Sequence, residues 1–441
     1  MGAYLPNSAS EQKQMLDFLG LKSLDDFYSH LPNEVKLNRE LNIPEGKSEV
    51  EVRHQMEELA AKNKIFRTIF RGAGAYKHYI PALVKSVSSK ETFVTAYTPY
   101  QPEISQGVLQ SIFEFQTMIC ELTGMDGSNA SVYDGATACS EAVAMCLDRK
   151  RTTAYISATV HPDYLRSVQT YCYAANRGFV VIPEKNGVTD IEFLRNNIKD
   201  DGACFIMQQP NFYGIIEDAD ALGKVAKDSG TKFVISMNPF FAAIGKTPRE
   251  YGADVAVGEG QPLGIPLGFG GPYLGFMAST RDMARTLPGR ISGQTLDVDG
   301  NRAFVLTMQA REQHIRREKA VSSICSNQAL CAIAAGVYMA TMGPSGMKEV
   351  ARQCISKAHY AAKQISSIPG FELAINGEFF HEFVTKCPCC PEKIMAKLEE
   401  KGILGGYVLK GKYENHILWC CTEANTKAEI DELVAILKEV A

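Results

Sequence analysis

The segment Ala253-Asp-Val-Ala-Val-Gly-Glu-Gly-Gln-Pro-Leu-Gly-Ile-Pro-Leu-Gly-Phe-Gly-Gly-Pro-Tyr-Leu-Gly-Phe276 has the layout of a catalytic loop without its nucleophile. It reads as a short buried strand (Asp254 to Val257), a glycine-rich loop and a second strand (Tyr273 to Ala278). In α/β enzymes that use pyridoxal phosphate, such a strand-loop-strand carries the lysine that holds the cofactor as a Schiff base. No lysine occurs here between Lys246 and Lys319. The pattern is that of a cofactor-enzyme scaffold whose own covalent site is empty, and it directs the search for function toward a partner chain.

Two further positions depart in the same direction. The helix opening at Tyr133-Asp-Gly-Ala-Thr-Ala-Cys-Ser-Glu141 stands where free backbone N–H groups would seat a phosphate, and Gly135 permits close approach. Asp134, however, puts a carboxylate at the N-cap, where it satisfies those donors and repels an anion. A self-capped helix and an anion site both remain open. The strand Phe233-Val-Ile-Ser-Met-Asn238 ends where an aspartate would stabilise the protonated pyridine ring, and neither Ser236 nor Asn238 supplies that charge. His161, in Ala158-Thr-Val-His-Pro162, follows a sheet strand and is either a ring or substrate contact or a structural histidine. Gln208-Gln-Pro-Asn-Phe-Tyr-Gly214 presents amides at the same rim or simply turns the chain.

Tyr97-Thr-Pro-Tyr-Gln-Pro-Glu-Ile-Ser-Gln-Gly107 combines aromatics, prolines and polar groups with no helical or strand period. It suits an interface or pocket rim. Thr307 to Ala320 is densely charged and reads as a solvated helix face or a clamp for a partner chain. Cys387-Pro-Cys389-Cys390 with His381 looks superficially like a metal site but lacks a second, separated ligand pair, so a proline-closed turn is the plainer reading and no metal is expected.

The elements that must position these residues follow from the pattern of the chain. Residues 1–65 read as a helical arm, with a capped amphipathic helix at Ser10–Gly20 and a longer one from Ser48 to Asn63. Residues 66–310 alternate helices with strand-like runs at Thr153–Ser157, Phe179–Ile182, Ala203–Met207, Phe233–Met237, Asp254–Val257 and Tyr273–Ala278, the signature of a mainly parallel sheet. Ligands bind such sheets at the strand C-terminal ends. Residues 311–441 form a smaller α/β domain: helical text through Met342, a long helix from Met347 to Ser366, strands at Phe371–Ile375, His381–Val384 and His416–Cys421, and helices at Pro391–Lys401 and Lys427–Lys438.

At 441 residues, 45% hydrophobic, the chain has enough apolar content for one large core and a smaller one. Its net charge of -4 and scattered basic residues give no electrostatic footprint for nucleic acid or an anionic membrane. No run of 18 apolar residues and no signal-like N-terminus occurs, and the 13 cysteines read as reduced thiols, so a cytoplasmic protein is expected.

Several of these segments are long enough to carry a resemblance. Tyr97 to Gly107, Phe115-Gln-Thr-Met118, Leu122-Thr-Gly124, Asn129-Ala-Ser131 and Arg311-Glu-Gln-His-Ile-Arg-Arg-Glu-Lys319 resemble the glycine decarboxylase P-protein family, and more narrowly its subunit 1, the α subunit of the two-subunit bacterial form. The resemblance runs from the Leu19–Phe27 arm onward. It implies a fold-type-I, PLP-dependent transferase-like large domain, and a heterotetramer with two chains of subunit 2, which carry the cofactor lysine. By comparison with the partner's loop, the lysine position falls on Gln261. The implied reaction binds glycine through that cofactor, releases carbon dioxide and transfers the aminomethyl group to the lipoyl arm of H-protein. Asp134, Gly135, His161 and Asn238 are then a vestigial pocket, and Tyr97, Thr98, Tyr100, Glu103, Ser105 and Gln106 the candidate rim of the partner's active site. Two alternatives stand beside this: a self-sufficient aminotransferase or desulfurase using Lys246 or Lys319, and a purely structural subunit with a dead pocket.

Overall fold

The structure, a computed structural model, describes residues 7–37, 39–324 and 326–440. The chain packs as two units that divide between Lys64 and Ile65.

In the first unit, helix Ala9–Leu19 opens with a capping box between Ser8 and Glu11 and ends on Gly20 in the left-handed conformation. Helix Glu49–Ala60 opens the same way with Ser48 and Glu51. Reciprocal capping satisfies two of the otherwise unpaired N–H groups at each start, which is why both helices begin where they do. Neither helix buries a residue. Phe18, Leu19, Leu41, Ile43, Val50 and Met56 all remain exposed, so this unit has no core of its own.

The second unit is built on a seven-stranded sheet with spatial order Gly127–Ser128, Gly275–Ser279, Val255–Glu259, Lys232–Met237, Gly202–Gln209, Thr153–Ser157 and Gly178–Ile182. The last five of these run parallel, whereas Gly275–Ser279 pairs antiparallel with both of its neighbours. Their near-continuous burial is what a sheet covered on both faces requires. One face packs Phe205, Phe233 and Ile235 against helix Pro102–Thr123 and the start of the long helix Ala329–Ile365. The other packs Ile156, Ile206 and Val257 against helices Gly135–Cys146 and Pro162–Ala174.

A four-stranded antiparallel sheet, Glu372–Leu373, Glu382–Lys386, His416–Cys420 and Tyr407–Val408, forms a second core around fully buried Trp419, whose indole N–H donates to Thr385 at 2.9 Å. The segment after Ile65 is stitched to this sheet: Thr68–Ile69 pairs in parallel with Ile403–Leu404, and the Cys420 N–H donates to the Phe70 carbonyl. Helix Ala329–Ile365 serves both cores, Ala332 and Ala335 facing the large sheet and Ala358, Ala361 and Ile365 the smaller one. It kinks at Gly343-Pro344, where Gly343 has φ 61° and the proline lacks an N–H to donate.

One expectation is corrected. The text after Arg311 does not continue as helix to Met342. Short turns at Gln309–Arg311, Gln313–Arg316 and Arg317–Lys319 follow one another, and regular helix resumes only at Ala329. Met308 and Arg317 both take positive φ, which limits the helix between them to a single turn, where Arg316 N–H donates to the Glu312 carbonyl at 2.9 Å. A hairpin, Ile291–Leu296 with Arg302–Thr307, precedes these turns and has no counterpart in the sequence reading.

Candidate functional site

At the C-terminal ends of the parallel strands lies a cavity of about 30 Å³, lined by Gly74, Tyr76, His161, Tyr164, Gln208, Ser236, Asn238, Glu259 and Pro262, among others. His161, Gln208, Asn238 and Glu259 lie at or just after the C-terminal ends of four parallel strands, the end at which α/β sheets hold ligands.

The four residues of the expected vestigial pocket, Asp134, Gly135, His161 and Asn238, and Gln261 at the lysine position are each already committed to the protein itself. Asp134 is the N-cap of helix Gly135–Cys146 and accepts from Thr137 N–H at 2.7 Å. Asn238 caps Pro239–Ala242, accepting from the N–H groups of Phe240 and Phe241. His161 has Nε2 2.9 Å from the Ala73 carbonyl and Nδ1 accepting from Asp163 N–H, and its ring leans on Tyr164 and Phe212. Burial lowers its pKa. Gln261, at the expected lysine position, accepts from Tyr76 N–H at 2.8 Å and donates to the carbonyls of Tyr76 and Ile265. It is a buried crosslink between the loop and the segment after Ile65.

Glu259, absent from the sequence reading, is the centre of the site. Its carboxylate accepts from Gly135 N–H at 3.0 Å, Gln261 N–H at 2.8 Å and Leu274 N–H at 3.1 Å. An acidic oxygen from this chain therefore sits on the helix-start donor that an anionic ligand would use. Burial raises the Glu259 pKa to about 7 against the pull of those three donors. Tyr164 closes the cradle from the other side: a Cβ added to Gly135 would collide with its hydroxyl. Glu382 makes a second buried anchor, accepting from Ala73 N–H at 2.7 Å and from the Tyr76 hydroxyl at 2.8 Å. Burial raises its pKa to about 7 as well.

These residues do not fit pyridoxal phosphate. A volume of about 30 Å³ holds two or three waters, at roughly 10–15 Å³ each, and no lysine lines it. Lys246, the candidate of the self-sufficient alternative, instead pairs with Asp220 at 2.7 Å on the surface.

The rim residues form a separate group. Tyr97 is 91% exposed. Thr98 turns the chain, its carbonyl accepting from Tyr100 N–H. The Tyr100 hydroxyl accepts from Arg290 Nη2 at 2.9 Å, and that guanidinium lies 5.0 Å from the Tyr100 ring centroid. Glu103 is exposed in the first turn of helix Pro102–Thr123, and Ser105 leaves helical geometry at φ -123°. Gln106 clamps the hairpin, donating to the Phe304 carbonyl and accepting from its N–H.

Glu259 lay within the first motif considered, between two glycines at a strand end, and nothing in the sequence ties it to Gly135, 124 positions away. Tyr164 follows directly on His161-Pro-Asp, where only the histidine drew notice.

The family model for the glycine cleavage system P-protein matches residues 2–437. The chain is 47% identical to a protein of Desulfitobacterium hafniense named "Probable glycine dehydrogenase (decarboxylating) subunit 1", with 99% of each chain covered. It is 48% identical to the protein of the same name from Moorella thermoacetica, again with 99% of each covered. Its structure superposes with a TM-score of 0.93 on a crystal structure of glycine decarboxylase (P-protein) of the glycine cleavage system in inhibitor-bound form, at 39% identity and 100% coverage of both chains. With the same fold shared end to end at such identity, the chain belongs to the glycine cleavage system P-protein family.

Proposed function

We propose that this chain is subunit 1 of a glycine dehydrogenase (decarboxylating) whose pyridoxal phosphate is held by a different chain, subunit 2, in an assembly of two copies of each. The overall reaction releases carbon dioxide from glycine and delivers the aminomethyl group to the lipoyl arm of H-protein. The observation that carries this division of labour is the Glu259 carboxylate seated on the Gly135 N–H, with Gln261 at the lysine position. A site that neutralises its own donors and crosslinks its own loop has no place for the cofactor, so the chemistry belongs to the partner.

What this chain supplies is the wall of that partner's site. Arg290 fixes the Tyr100 ring and hydroxyl, and Gln106 fastens the helix start to the hairpin, while Tyr97 and Glu103 stay exposed. A rigid base with free tips is the geometry for ordering a neighbour's substrate and excluding water from it.

Borohydride trapping tests the reading. The chain alone, given pyridoxal phosphate, is expected to yield no lysine adduct, whereas a mixture with subunit 2 and glycine yields an adduct on subunit 2 and releases carbon dioxide. A specific adduct on this chain overturns it. Tyr97→Ala and Glu103→Ala are expected to lower turnover of the mixture at least tenfold with assembly intact; unchanged turnover would favour the purely structural reading.

A further inference from the structure

Away from the filled cavity, three donors from distant parts of the chain meet in the seam between the two cores. His78 comes from the segment that follows Ile65, Cys354 from the second half of helix Ala329–Ile365, and Glu423 from the turn after strand His416–Cys420. His78 Nδ1 lies 2.7 Å from Glu423 Oε2, Cys354 Sγ lies 3.6 Å from the same oxygen, and one donor atom of each falls within 4.8 Å of the others. The side chains of His78 and Glu423 are 2% and 12% exposed, and Cys354 is fully buried.

A second observation points at the same place. Tyr338, 0% exposed, has a hydroxyl with no hydrogen-bond partner, and its ring packs on Phe240, which in turn packs on His78. Glu423 Oε2 is shared by His78 Nδ1 and the Cys354 thiol, while His78 Nε2 and the Tyr338 hydroxyl are left without partners. A buried hydroxyl with no partner loses its water without compensation, so a ligand in the space before it is favoured.

We infer that His78, Cys354 and Glu423 form a binding site for a zinc-class divalent cation. The donor set is borderline-soft, imidazole and thiolate with a single carboxylate, which favours zinc over magnesium or calcium. The distances agree. Tetrahedral zinc with bonds of about 2.1 Å to oxygen and 2.3 Å to sulfur sets an O···S edge of about 3.6 Å, and the N···O pair would open by roughly 0.7 Å on binding. Charge balances as well: the dication meets one thiolate and one carboxylate and buries as a neutral unit. On binding, the Cys354 S–H bond gives way to a zinc–sulfur bond and the proton leaves to solvent. The other Glu423 oxygen, which accepts from Tyr79 N–H at 2.6 Å, holds the carboxylate in orientation. Such an ion would tie the segment after Ile65, the shared helix and the smaller sheet at one point.

The full-length chain is titrated with zinc and examined by native mass spectrometry, and in parallel with cobalt(II), whose thiolate charge-transfer absorption reports sulfur ligation. One ion per chain is expected. The cobalt band should be lost and zinc affinity lowered at least tenfold in Cys354→Ser, with both unchanged in Cys390→Ser, which removes an exposed thiol of the Cys387–Cys390 turn. X-ray absorption at the zinc edge of the wild-type chain should show one sulfur among nitrogen and oxygen ligands, a readout independent of how Cys354→Ser folds. Failure to retain zinc at stoichiometry, a zinc shell without sulfur, or a cobalt band that survives Cys354→Ser overturns the inference.

Discussion

Glu259 keeps its proton to higher pH in the folded chain than in the unfolded one, because burial lifts its pKa from 4.5 to about 7. The folded state therefore binds more protons than the unfolded one between those two values, and the contribution of this group to stability is full below the lower value and lost as pH rises through the upper. At 1.36 kcal/mol per pH unit the swing is about 3 kcal/mol. Glu259→Gln carries the neutral form at every pH, so urea unfolding of the variant should lose about that much less stability than wild type between pH 5 and pH 8. Equal slopes for the two proteins would show that Glu259 is ionised throughout. The residue also marks where reading the sequence stops. The missing lysine, the aspartate at the helix start and the asparagine at the next strand end were visible because each replaces a chemistry expected at a known offset. Glu259 replaces nothing at its own position; it matters only because a strand end and a distant helix start converge.

Among the elements, the parallel strands were legible since each is a short β-branched or apolar run bounded by turn residues, and Thr153–Ser157 coincides with its expectation residue for residue. The turns between Met308 and Lys319 were not. Their charges alternate at helical spacing, and local pattern carries no sign that Met308 and Arg317 adopt left-handed backbone. Arg317, at φ 51° and ψ -124°, occupies a region that glycine enters freely and other residues enter at a cost of about 1–3 kcal/mol. Arg317→Gly is accordingly expected to stabilise the chain by about 1 kcal/mol in urea unfolding, after the offsetting entropy gained by the unfolded chain. A loss of stability would mean that the guanidinium makes contacts worth more than the strain. Strain retained beside the rim at Tyr100, whose ring stands 6.4 Å from that of His314, is in keeping with a segment held for contact with another chain.

At the scale of the molecule, the residues before Lys64 and those after Ile65 differ in kind. The first unit has capped helices and no core, whereas the second has two cores bridged by one helix of 37 residues. That difference was readable, since a short run of amphipathic helices broken by prolines cannot bury enough surface alone. Deleting residues 1–64 should shift the melting temperature of the isolated chain by no more than about 2 °C, because the core clusters of the second unit are made of its own residues, while sedimentation should show weakened assembly with subunit 2. A large fall in melting temperature would mean that the arm belongs to the fold of this chain. The carboxylate that fills the Gly135 donor has one more consequence. Proteins that wait for a vitamin-derived group gain stability only when it arrives, by mass action, and are vulnerable while it is scarce. Here the group on that donor is part of the chain itself, so adding pyridoxal phosphate to the isolated chain is expected to leave its melting temperature unchanged.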